Sequence, residues 1–160
     1  LFFKDLESGG RMQVYEEFLS VLENPGDPVL GKGVFEKTCS SCHTYAGKGG
    51  EVGPDLTGVN NQPGDALLLH TIVPNYEVLP AYQAITIQTK GGRTISGWIS
   101  AESENSMTLR TAFGSNESIL RANIVSIQNS GLSLMPDGLE QTMTKEDIAN
   151  LIAFLKSGGH

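Results

Sequence analysis

Apolar side chains from residue 11 to residue 22 recur at the spacing of one helical face: Met12, Tyr15, Phe18, Leu19 and Leu22. The stretch breaks at "ENPGDP". Asp27 followed by Pro28 has the form of an N-cap with proline in the first turn, so residues 28–38 are predicted as a second helix. Leu30, Val34 and Phe35 cluster on one of its sides. Residues 44–63 are Gly-rich and are predicted to be mostly loop. "PGDALLLHTIV" is predicted as a short helix opened by Gly64 or Asp65 and closed before Pro74. From Tyr82 the period changes to two. Ile85 and Ile87 alternate with Thr86 and Gln88, "KGGR" at 90–93 signals a hairpin, and "TISGWISA", "SMTLRTA", "SILRA" and "IVSIQ" follow. Helical periodicity returns in "DIANLIAFLK", where Thr144 and Asp147 form a capping-box pair with Met143 and Ile148 at the staple positions. The pattern gives an α+β chain: helices, about five short strands, then a helix.

Charge sharpens this division. The 160-residue chain has a net charge of −7. That excludes a general nucleic-acid binder, which needs basic groups to displace counterions. Residues 79–130 sum to +1 and the flanks to −8, which marks the middle as a separate unit. No apolar run approaches the roughly 20 residues of a bilayer-spanning helix. The opening "LFFKDLESGG" lacks the pattern of a secretion signal, so a mature product or a piece of a longer protein is expected.

The two cysteines stand in Cys39-Ser40-Ser41-Cys42-His43, the C-x-x-C-H attachment pattern of a c-type haem. Each thiol can form a thioether with one haem vinyl group, and the adjacent histidine is then held under the iron. Three other readings of the pair are a thioredoxin-like redox motif, half a zinc site and two structural thiols. No βαβ pattern surrounds the pair, and no second Cys pair exists.

Together with their surroundings these residues resemble the class I cytochrome c family. Gly31 and Phe35 precede Cys39 as a glycine and an aromatic do on that family's N-terminal helix, and "GGEVGPDLTGV" looks like its G-P-x-L loop. The resemblance implies that the Pro54 carbonyl accepts a hydrogen bond from His43 Nδ1. It also implies that Leu151 and Phe154 pack against Gly31 and Phe35. Met135, in "SLMPDGLE" ahead of the last helix, matches the family's Met-Pro axial-ligand signature. The rivals have other expected roles. Met143 is a staple residue, Met107 lies on a strand, Met12 sits on an apolar stripe, His70 follows three leucines, and His160 is terminal. One haem c is therefore expected, attached through Cys39 and Cys42 and ligated by His43 and Met135. Such His/Met ligation raises the potential and leaves no open position, which suits electron transfer and not an enzyme.

Ninety-two positions separate His43 from Met135, more than a minimal class I domain needs. In this the chain resembles a more specific group, the haem-binding domains common in planctomycetes and verrucomicrobia. The motifs that carry this likeness are "GKGVFEKTCSSCH", "GPDLTGV", "IVPNYEVLPAY", "GGRTISGWISAES", "SLMPDGL" and "LIAFL". It implies an all-α cytochrome c fold over 26–79 and 131–157, interrupted by a small Sm-like β-barrel over 80–130 whose ends lie close in space. Residues 1–25 would be the tail of an upstream region. "RAN" at 121–123 departs from the second Sm motif, and Glu102 and Glu104 stand in a loop, so RNA binding is not expected. Trp98 is read as a barrel-packing aromatic in preference to a surface anchor, and Arg93, Arg110 and Arg121 as solvated strand residues.

The function implied is a monohaem electron-transfer domain that passes single electrons from a fused or docked dehydrogenase to another redox protein. The alternatives are a haem-based sensor, in which Met135 yields to a gas ligand, and an interaction module, in which the barrel assembles an oligomer. Thioether formation needs reduced thiols and extracytoplasmic machinery, so a periplasmic or cell-surface location is expected.

Overall fold

A computed structural model describes residues 9–159. The first eight residues of the expected upstream tail, and His160, lie outside them. Helix α1 (Arg11–Phe18) is shorter than its apolar stripe, because the chain tightens into a 3-10 turn at Leu19–Glu23. Asn24 then adopts an extended conformation, as a residue before proline must to avoid the ring of Pro25. Helix α2 (Pro28–Thr38) is capped by Asp27, whose Oδ1 accepts from the N–H groups of Val29 and Leu30 at 2.8 and 3.4 Å. Helix α3 (Gly64–Ile72) opens after Pro63 without a side-chain cap. Asp65 is therefore not its N-cap. It lies in the first turn, where a carboxylate favours the positive end of the helix dipole. Helix α4 (Lys145–Lys156) has the full capping box of Thr144 and Asp147.

The helices share one core around Leu68, Ile72, Val73, Ile148 and Leu151. Helices α2 and α4 cross at Gly31, where an added Cβ would run into the Asn150 carbonyl. Close by, the Phe35 ring lies 5.5 Å from Phe154 and 5.6 Å from Tyr45. The Tyr45 hydroxyl donates to the Phe154 and Leu155 carbonyls at 3.1 and 3.3 Å, which satisfies acceptors in the last turn of α4. The N-terminal stretch packs into this same core through Met12 and Val21. Arg11 fixes it further. Its guanidinium meets the buried Glu140 carboxylate at 2.6 Å and donates to the Ile72 carbonyl at 3.0 Å.

The five strands form one antiparallel sheet. They are β3 (Ile85–Thr89), β4 (Thr94–Glu102), β5 (Ser106–Arg110), β6 (Asn116–Leu120) and β7 (Ile124–Asn129), in the order β6-β5-β4-β3-β7. Their apolar positions build a second, separate core of Ile85, Ile87, Ile95, Met107, Leu109 and Ile119. The sheet enters and leaves the helical part at one point: Ala84 N–H donates to the Leu132 carbonyl at 2.8 Å, and Ser130 N–H to the Ala84 carbonyl at 3.1 Å. Among the described residues, no helix is long and apolar enough to cross a membrane.

A short hairpin, β1 (Thr44–Tyr45) and β2 (Lys48–Gly49), interrupts the region predicted as loop. Its two turn residues, Ala46 and Gly47, both have positive φ, the conformation that tight two-residue hairpins require.

Candidate cofactor site

The site is built at the end of α2. Cys39 N–H still bonds the Phe35 carbonyl at 2.8 Å. The chain then turns tightly, with Cys42 and His43 N–H groups both donating to the Cys39 carbonyl, at 3.1 and 2.9 Å. The hairpin folds back over this turn. Gly50 N–H donates to the Ser40 carbonyl at 2.8 Å, and a Cβ at Gly49 or Gly50 would strike the His43 or Ser41 carbonyl. Small residues are thus required where the two backbones meet.

Residues 51–54 then pass beside the imidazole. Gly53 N–H donates to the Cys42 carbonyl at 2.7 Å. A Cβ on Gly53 would lie 2.8 Å from His43 Nδ1 and 3.0 Å from Nε2, so the ring rests on bare backbone. His43 Nδ1 and the Pro54 carbonyl oxygen are 2.8 Å apart. A carbonyl can only accept, so Nδ1 carries the proton and Nε2 keeps its lone pair. Burial holds His43 below the usual imidazole range, with the Pro54 hydrogen bond pulling the other way. Burial, and then the neighbouring Cys42, push the Cys39 thiol up to about 11. Both cysteines are free thiols. At neutral pH the constellation is a protonated Cys39 thiol, its Cys42 neighbour and a neutral, oriented imidazole. This donor set fits a covalently attached haem: two free thiols in C-x-x-C sequence spacing, and one Nε2 for the iron.

Cys39, Cys42, His43 and Pro54 therefore come together. Met135 is fixed by other bonds. It lies half-buried in the loop before α4, with its N–H donating to Ser133 Oγ at 3.0 Å. Ser133 N–H in turn donates to Asn75 Oδ1 at 2.8 Å, which ties this loop to the segment after α3. Met12 and Met107 are buried in the helical and sheet cores, and Met143 packs against the helical core.

Two strand residues have roles that sequence reasoning missed. Trp98 neither fills the sheet core nor stands free at the surface. Its indole N–H donates to the Val52 carbonyl at 2.5 Å, and its ring lies 4.9 Å from Tyr82. Arg110, its cross-strand neighbour, is not a solvated residue. Its guanidinium meets Glu51 at 3.5 Å and the Gly114 carbonyl at 3.3 Å, and only 19% of the side chain is exposed. Nothing in the local pattern signals the contacts with Val52 and Glu51, because that loop lies far back in the chain.

Residues 26–155 match a family model described as Cytochrome C oxidase, cbb3-type, subunit III. No curated protein matches the chain.

Proposed function

The chain belongs to the cytochrome c family, and on that premise we propose that it is a monohaem electron-transfer domain with its haem held by Cys39, Cys42, His43 and Met135. When bound, the haem would supply a one-electron couple; the residues would attach it, orient its ligands and tune its potential. Cys39 and Cys42 provide the two thioethers. His43 provides Nε2, and the Pro54 carbonyl fixes the tautomer and the angle of the ring. Met135 would provide a thioether sulfur as the second protein ligand. Thioether donates weakly and favours Fe(II), which raises the potential relative to two histidines. The observation that carries this reading is the 2.8 Å contact between His43 Nδ1 and the Pro54 carbonyl, which leaves Nε2 free beside two free thiols.

The domain division is 26–79 with 131–157 for the haem part and 80–130 for an inserted Sm-like barrel. The two separate cores and the hydrogen-bonded ends at Ala84, Ser130 and Leu132 support it. Electrons pass between redox proteins, with a fused or docked dehydrogenase as the donor. Covalent attachment of the haem supports a periplasmic or cell-surface location. The ligand assignment is tested by Met135→Ala, which abolishes the Met–iron charge-transfer band. Survival of that band, with its loss in Met143→Ala, overturns the assignment.

A further inference from the structure

The sheet reaches across to the loop that orients the proximal histidine. Trp98 N–H holds the Val52 carbonyl, and Val52 itself is buried. Arg110 holds Glu51. The turn after β5 closes over the same loop, with Gly114 positioned so that a Cβ there would come within 3.8 Å of the Val52 side chain. On its other side, Gly53 N–H is bonded to the Cys42 carbonyl and Leu56 N–H to the Thr44 carbonyl, at 2.7 and 2.8 Å. Pro54 stands between these anchors, and its carbonyl meets His43 Nδ1. The C-x-x-C-H turn and the β1 hairpin anchor Gly53 and Leu56 on either side of Pro54, and the inserted sheet anchors Glu51 and Val52 just ahead of them.

We propose that the inserted sheet positions the proximal histidine, with Trp98 as the positioning residue that sets the His43–Pro54 hydrogen bond through the Val52 carbonyl. This rests on the haem-ligand role of His43 given above. A hydrogen bond to Nδ1–H makes the imidazole a stronger donor and favours the ferric state. Loosening Val52 lets Pro54 drift, weakens that bond and raises the potential. The sheet is then part of the redox site, although none of its residues is a ligand.

The test replaces Trp98 in the haem-loaded protein, first by Phe and then by benzothienylalanine. Trp98→Phe keeps an aromatic ring against Tyr82 and removes the N–H donor. Benzothienylalanine keeps the whole bicyclic shape and removes only the donor, so it carries the test if Trp98→Phe does not fold. Three quantities are read: the covalent-haem spectrum, the exchange rate of His43 Nδ1–H in the ferrous protein, and the midpoint potential. The expected result is an intact haem spectrum with Nδ1–H exchange faster by roughly tenfold. Ferric stabilisation falls about threefold, a rise of roughly 30 mV for one electron. Ile95→Val, in the sheet core away from these contacts, lowers the melting temperature and leaves the potential in place.

An intact haem with unchanged exchange and potential in the Trp98 variants overturns the proposal. An equal shift in Ile95→Val overturns it as well, because general loosening of the sheet would then be the cause. A native chain without covalent haem overturns the functional reading itself, and the positioning role with it.

Discussion

Gly53→Ala places one methyl group where the His43 ring rests. The new Cβ would lie 2.8 Å from Nδ1 and 3.0 Å from Nε2, and nearer still to Cε1. The obstacle is a ring held by its own hydrogen bond, so relief requires the imidazole to retreat by about 1 Å or the loop to open. Either movement stretches the 2.8 Å contact with the Pro54 carbonyl out of hydrogen-bond range. The overpacking costs about 1–3 kcal/mol and the lost hydrogen bond about 1 kcal/mol, roughly 2–4 kcal/mol together. For a chain of this size that is a fall in melting temperature of about 4–16 °C. Thermal unfolding measures the loss, and the ligand-field spectrum reads the tilt of the histidine. Gly33→Ala is the control. It changes the same residue type in α2, where a Cβ meets nothing within 4 Å, and gains about 0.5–1 kcal/mol from helix propensity. If Gly53→Ala melts within a degree of the native protein with an unaltered spectrum, the argument that the ring needs bare backbone is wrong.

Three further outcomes follow from the same contacts. Gly31→Ala drives a Cβ into the Asn150 carbonyl and to 2.8 Å from Phe154 Cβ, so denaturant unfolding should show a loss of about 1–3 kcal/mol. Arg11→Ala strands the Glu140 carboxylate, which is 4% exposed, and the same assay should show a loss of about 3–5 kcal/mol. A negligible loss would mean that α1 is only a tail. The Thr57 hydroxyl and then its N–H donate to Asp55 and hold its carboxyl below the usual range. Its contribution is therefore complete above the ordinary Asp range and disappears as pH falls through the depressed value. An NMR titration should show that midpoint, and Thr57→Ala should move it upward.

The parts of the fold visible in the sequence are those set by neighbours in the chain. The Asp27 cap, the Thr144–Asp147 capping box and the period-two run from Ile85 each depend on residues a few positions apart. The C-x-x-C-H turn is equally local, whereas the contact of Pro54 with His43, eleven positions apart, is legible only through the resemblance of "GPDL" to a cytochrome c G-P-x-L loop. The hairpin at Thr44–Gly49 was hidden because two-residue strands have no periodicity to read. Its turn uses Ala46, which is a poor signal for positive φ. Trp98 and Arg110 were misread for a different reason. Trp98 reads as a packing aromatic by its size, and Arg110 as solvated by its charge; alternation places both on the outward face of their strands, and only the folded chain brings the loop at Glu51 and Val52 to cover that face.

The central claim is that Cys39 and Cys42 carry a haem over His43. Its most direct test is the mass of the proteolytic peptide that spans Cys39 to His43, taken from protein made with haem-attachment machinery. The account predicts a gain of one haem, lost to a single-thioether form in Cys39→Ala or Cys42→Ala. An unmodified peptide whose two thiols alkylate freely would contradict it.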